Sequence, residues 1–193
     1  MKILFQGSPG AYSHTAALEV YPDSEIISCK TFDECFSKAQ QDENLKIIIP
    51  ESNKTTGNIG IEYLIFKYRL NIYAEHFHRI EHNLLGIPGA KIKDIKNVLS
   101  HAQGLSQCSD YIKKNNLTEN VRADTAGSAK YISENNKKSD AAIASKLSAK
   151  IYNLDVIKSN IENETGNTTR FLIMGKSINQ PEFSKKKYIT SFL

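Results

Sequence analysis

The sequence predicts an α/β protein built as two lobes around mostly parallel sheets. Three observations carry this reading. Short β-type runs alternate with helix-length stretches from the first residue onward. Loops of small polar residues follow several of the runs, at residues 7–14, 100–108 and 124–129. Two segments, near residues 71–80 and 155–161, read as crossings that make the second lobe an insertion within the first.

Taken in order, residues 2–5 form a strand ended by Gly7-Ser8-Pro9-Gly10, and residues 12–20 a helix whose N-terminus faces that turn. Residues 25–28 are a second strand. Thr31 caps the next helix, and Glu34 three residues on completes a capping box. Residues 45–49 are a third, buried strand closed by Pro50; the polar stretch 51–58 is a loop, and 59–68 a helix. In the second lobe, 71–80 alternates as a long strand, 84–87 is a strand before Pro88-Gly89, and 98–100 ends another. Residues 103–114 read as one helix, and 121–123 lead into the helix that begins at Asp124-Thr125-Ala126-Gly127 and runs to Asn135. A strand at 141–144, a helix at 145–152 and a returning strand at 154–161 complete the lobe. The expected boundaries are 1–75 and 160–176 for the first lobe and 76–159 for the second.

Composition removes several function classes. A chain of 193 residues buries a core without metal or disulfide staples. Its three cysteines, Cys29, Cys35 and Cys108, are odd in number and lack ligand spacing; with Met1 first and no signal peptide, a reduced, cytoplasmic protein is expected. No apolar run reaches the length of about 18 residues that a membrane-spanning helix needs. The net charge of +4 is mild and the lysines are scattered, so nucleic acid is not implied, whereas a small anionic substrate suits the excess.

The loops carry the candidate chemistry. Glycines such as Gly10, followed by Ala11 and a helix start, allow close backbone approach to an anion, although neither a dinucleotide nor a Walker spacing is present. Ser100 is placed to cap the helix that follows, with Gln103 and Gln107 at i and i+4 on one face. His101 lacks a partner at triad spacing and is read as a helix-start residue. Thr125 and Ala126 open a helix in the same manner, with ordinary capping by Asp124 or Thr125 as the plain alternative. Asn53, Lys54, Thr55 and Thr56 form a fourth polar loop. His76 and His78 share a face of a strand, but an i, i+2 pair without a third spaced ligand assigns no metal. The densest signal is Asn167-Thr168-Thr169-Arg170-Phe171, a hydroxyl doublet beside a cation at the start of an apolar run.

These loops, with Ala141-Ala142-Ile143-Ala144-Ser145, resemble in order the prephenate dehydratase family over residues 1–176. The resemblance implies two lobes like a type II periplasmic binding protein with the site between them, and conversion of prephenate to phenylpyruvate in phenylalanine biosynthesis without a cofactor. It implies Thr169 as the essential threonine. Ser100, Gln107 and Asn53 would orient the substrate, with Gly10, Ala11, Thr125, Ala126 and Thr168 at the site. Arg170 holds a carboxylate in this reading, or instead braces the lobes. One loop departs from the family pattern: Pro50-Glu51-Ser52-Asn53-Lys54 places Ser52 where glutamate is usual and Lys54 where serine is usual. Glu51 taking over the carboxylate role, and Lys54 helping to bind a dianion, are the expectations there. An arogenate dehydratase or a non-catalytic carboxylate-binding module would share the same pattern. The tail, residues 177–193, resembles the start of an ACT regulatory domain; the expectations are an absence of phenylalanine feedback, and pairing of the tail between two copies as an edge strand in a homodimer.

Overall fold

The computed structural model describes residues 1–177, so the ACT-like tail lies almost wholly outside the described residues. Two sheets organise the chain. The first runs β2 (Glu25–Cys29), β1 (Lys2–Gln6), β3 (Leu45–Asn53), β11 (Thr168–Gly175), β5 (Asn71–Arg79), with the two-residue β4 (Gly57–Asn58) beside β3. The second runs β10 (Asp155–Lys158), β6 (Asn83–Gly86), β9 (Asp140–Ala144), β7 (Asn97–Ser100), β8 (Thr118–Val121).

The two-lobed α/β reading holds, and the sheets are mixed rather than mostly parallel. β1 pairs in parallel with β2 and β3, and β7 with β8 and β9. β11 is antiparallel to both neighbours, because it re-enters the first sheet after the inserted lobe. The crossings are short links rather than strands. β5 stays in the first sheet as far as Arg79, so the first crossing falls at 80–82 rather than at 75–76; the returning strand β10 pairs with β6 inside the second lobe.

Each sheet buries both faces. On the first, Ile47, Ile49, Leu172 and Met174 pack with Phe36 and Leu64 of α2 (Phe32–Gln41) and α3 (Glu62–Tyr68). The opposite face carries Ile3, Phe5, Ile48, Phe171 and Ile173 against Ala16 and Ala17 of α1 (Tyr12–Val20). Three consecutive isoleucines in β3 thus serve both layers, as a fully buried strand requires. Around the second sheet, α4 (Ala102–Gln107) and α5 (Ser109–Lys114) cover one face, while α6 (Thr125–Asn135) and α7 (Lys146–Ile151) cover the other.

Local chemistry explains where element limits differ from expectation. Pro50 does not close β3: the ladder to β11 shifts register between Arg170 and Phe171, which pair with Ser52 and Pro50, leaving Glu51 as the extra residue of a bulge. A bulge is one of the few places where a strand tolerates proline. Residues 51–53 therefore extend the strand instead of starting a loop. The single helix expected at 103–114 is broken at Cys108 into α4 and α5. Thr31 caps α2 by accepting from the Glu34 amide at 3.1 Å, but the Glu34 carboxylate accepts from the Lys30 amide at 2.7 Å, so the box closes one residue early.

Candidate active site

A cleft of about 450 Å³ lies between the lobes, walled by the ends of β1, β3 and β11 on one side and by the loops after β7 and β8 on the other. Strand ends at a crevice are where α/β sheets present ligand groups. Its lining includes Ala11, Tyr12, Ser13, Asn53, His82, His101, Gln103, Gln107, Asp124, Thr125, Thr169 and Phe171. Among the described residues no lysine or arginine appears in this lining, and Asp124 is the one carboxylate there.

Thr169 and Asn53 form the polar floor. They face each other in the β11–β3 ladder, and both are buried. The Asn53 amide orientation is fixed by its surroundings: Oδ1 accepts from the Thr55 amide at 2.9 Å and the Thr56 amide at 3.3 Å, so Nδ2 points the other way. From there Nδ2 donates to Asn167 Oδ1 and to Thr169 Oγ1, both at 2.8 Å. The threonine oxygen is thereby an acceptor, and among the described residues no group takes its proton. A hydroxyl that accepts while its own proton stays free is a polarised donor.

A second network enters from the other lobe. His82 is buried, and burial lowers the pKa of its imidazole. Its Nε2 lies 2.8 Å from Gln107 Oε1, and its Nδ1 lies 2.8 Å from the Tyr12 hydroxyl. A neutral ring meets both contacts if Nε2–H donates to the glutamine and Nδ1 accepts from the tyrosine, whose one proton is then shared with the Glu81 carbonyl at 3.0 Å. Burial pushes the Tyr12 phenol well above its ordinary pKa, with smaller contributions from Cys108, Glu162 and Glu81, so Tyr12 stays protonated as a donor to these two acceptors. Gln107 Nε2 is left buried without a protein partner among the described residues, on a side chain that lines the cleft. Ala11 caps α1 without a side-chain hydrogen bond, which leaves first-turn amides available where Ala11, Tyr12 and Ser13 meet the cleft.

Several expected site residues sit elsewhere. Arg170 alternates to the other face of β11, donating to Glu75 at 2.7 Å and to Glu51 at 3.4 Å, so it braces the sheet. Glu51 is turned toward that arginine, and neither it nor Lys54 lines the cleft. Ser100 is fully buried and donates to the Ile143 carbonyl at 2.8 Å; the residue that caps α4 is His101, which accepts from the Gln103 amide at 3.3 Å. Gly10 is a latch between lobes: its φ is +92°, its carbonyl accepts from Ser145 at 2.6 Å and Ser148 at 2.9 Å, and a Cβ there would come within 2.5 Å of Ser148 Oγ. Ala126 is buried in the helix, with Asp124 rather than Thr125 as the cap of α6. Thr168 bonds the Gly166 carbonyl at 3.2 Å, outside the lining. Gln103 and Gln107 both line the cleft, and Gln103 reaches across to Thr56 at 2.8 Å. Sequence reasoning did not single out His82, which shows no spacing signal and becomes part of the wall only through its contacts to Tyr12 and Gln107.

The comparisons with known proteins bear on the family and the fold. The family model described as prephenate dehydratase matches residues 3–179. The chain is 38% identical over 194 residues to arogenate dehydratase/prephenate dehydratase 1, chloroplastic, of Arabidopsis thaliana, covering 100% of this chain and 49% of that protein. It is 35% identical over 175 residues to the bifunctional N-acyl-homoserine lactone acylase/prephenate dehydratase of Komagataeibacter europaeus, covering 90% and 62%. The structure of prephenate dehydratase from Arthrobacter aurescens in complex with L-Phe superposes with a TM-score of 0.86 at 22% identity over 95% of this chain and 63% of that one, a likeness of fold. The chain thus spans about half the length of the plant relative. A matched model over nearly the whole sequence, on a two-lobed fold whose cleft is floored by Thr169, places this chain in the prephenate dehydratase family.

Proposed function

We propose that this chain catalyses the decarboxylating dehydration of prephenate to phenylpyruvate, with Thr169 as the proton-donating hydroxyl. The observation that carries the reading is the Asn53–Thr169 pair, in which the amide donates to the threonine oxygen at 2.8 Å at the base of the cleft and leaves the hydroxyl proton for a ligand.

Prephenate bears two carboxylates and a ring hydroxyl opposite the carbon that carries one of them. Loss of carbon dioxide and hydroxide makes the ring aromatic, so the electrons released by decarboxylation move through the ring to expel the hydroxyl, and no external electron sink is needed. Two tasks fall to the protein: gripping the dianion and easing hydroxide away. Threonine is a poor classical acid near neutral pH, but as a placed donor it stabilises charge developing on the leaving oxygen. Among the described residues no lysine or arginine lines the cleft, so the carboxylates are met by neutral donors, namely the first-turn amides of α1 and the free Gln107 amide. Fixed dipoles of this kind act strongly where water is excluded.

A second reading, dehydration of arogenate, is favoured by Asp124. It is the one carboxylate in the wall among the described residues, and the amine that arogenate carries in place of the keto group would find a counter-charge there. Incubating purified protein separately with prephenate and with arogenate, and following phenylpyruvate and phenylalanine, tests both readings. Formation of neither product from folded protein would leave only a carboxylate-binding module.

A further inference from the structure

We propose that Glu19, His76 and His78 form a zinc-binding site on the first lobe, separate from the cleft. The two histidines lie two apart in β5 and so project from one face, while Glu19 comes from the last turn of α1, which packs on that face. His76 Nε2 is 2.8 Å and His78 Nδ1 is 2.9 Å from the same carboxylate oxygen, Glu19 Oε2. One ligand atom from each residue lies within 4.8 Å of the other two.

This donor set suits zinc. Two imidazole nitrogens and one carboxylate, with a fourth position for water, are an established combination for Zn²⁺, and imidazole donors favour first-row ions over calcium or magnesium. With bonds of about 2.0–2.1 Å, tetrahedral ligand atoms sit roughly 3.3–3.5 Å apart, so each imidazole has to withdraw from the carboxylate by about half an ångström while the two imidazole nitrogens, which lie within 4.8 Å, close by up to about 1.4 Å. The exposures fit a site with an open side: the His78 side chain is 9% exposed, that of His76 26%, and that of Glu19 45%. His78 is held in place by Phe171, whose ring meets it edge-on at 6.4 Å, and by Tyr12 at 6.2 Å. Glu19 and His76 are the less buried partners, and the buried imidazole of His78 is the fixed ligand. Bound zinc ties the C-terminal end of α1 to β5, and the N-terminal end of the same helix supplies the amides of the cleft.

The test uses the full chain, tag-free and stripped of metal. Titrating Zn²⁺ by calorimetry should show one equivalent bound and a rise in Tm, and Co²⁺ should give visible d–d absorption typical of a low-symmetry nitrogen–oxygen site. Glu19→Gln and His76→Ala, neither at a fully buried position, should each weaken zinc by at least about tenfold while keeping native circular dichroism. Absence of saturable zinc binding by the unaltered chain overturns the site, and so does unchanged affinity in both variants. Should a variant fail to fold, the cobalt spectrum of the unaltered chain decides alone: a purely octahedral, water-like spectrum refutes the assignment.

Discussion

Replacing Thr169 with valine removes one hydroxyl and almost no volume, so its consequences can be worked from the contacts. In the folded state Asn53 Nδ2 keeps its bond to Asn167 Oδ1 at 2.8 Å but loses the acceptor of its second hydrogen. A buried donor left unpaired costs about 1–3 kcal/mol. At roughly 2–4 °C per kcal/mol for a chain of this size, Tm should fall by about 2–12 °C. Catalysis loses more. Withdrawing one placed donor from a developing oxyanion costs about 10²–10³ in turnover, or about 3–4 kcal/mol. The assay is phenylpyruvate formation at saturating prephenate, well below the lower Tm, with circular dichroism as the check on folding. Thr169→Ser serves as control, because it keeps the hydroxyl and its acceptor role; it should retain turnover within about tenfold. Turnover of Thr169→Val within threefold of the parent, or a serine variant as slow as the valine one with both folded, refutes the assignment.

The other predictions follow from geometry of the same kind. Arg170→Ala should lower Tm by several degrees, since it removes the cation that Glu51 and Glu75 share in a half-buried site at a cost of about 1–3 kcal/mol, while KM for prephenate stays within about twofold; a tenfold rise in KM in the steady-state assay would return Arg170 to the substrate. Gly10→Ala should destabilise by about 1–3 kcal/mol, because φ is +92° and the new Cβ meets Ser148, and a thermal melt unchanged from the parent contradicts the latch. Stability should fall as pH drops below about 6.5, the ordinary histidine value. The sign follows from burial, which lowers the pKa of both His82 and His14 in the folded chain: the unfolded chain then binds more protons, and the stabilisation present above that value is lost as pH falls through the folded values. Melts at about pH 7.5 and about pH 5.5 with the same Tm would show that these rings are not held neutral.

How far the sequence revealed the site depended on the range of the interactions involved. Turn chemistry and local periodicity are short-range properties, and they placed β1, α1, β2, α2 and the starts of α4 and α6 correctly. The i, i+4 spacing of Gln103 and Gln107 likewise put both on the cleft wall. Long-range pairing was opaque. Whether Arg170 joins Thr169 at the cleft is decided by strand alternation and by the presence of Glu75 across the ladder, which no local window contains. Ser100 looked like a helix cap because hydroxyls commonly precede helices, yet its bond to the Ile143 carbonyl depends on β9 lying beside β7. His76 and His78 lacked a third ligand in sequence because Glu19 is more than fifty residues away and meets them only through the packing of α1 on β5.

The bulge in β3 accounts for the one place where this chain departs from the pattern it resembles. In a regular ladder Phe171 opposite Pro50 would set Arg170 opposite Glu51 and Thr169 opposite Ser52. The extra residue instead sets Arg170 opposite Ser52 and Thr169 opposite Asn53. Two consecutive residues of β3 therefore share the space facing one arginine, as a bulge arranges. Glu51 reaches the guanidinium at 3.4 Å, and Ser52 donates to the Glu51 carboxylate at 2.6 Å. A carboxylate at the position of Ser52 would lie on this same sheet face, away from the cleft. Glu51 thus forms an ion pair behind the floor, on the face away from the Asn53–Thr169 pair. The acid at Glu51 consequently bears on the stability of β11, and a defect from this pair should appear in Tm before it appears in turnover.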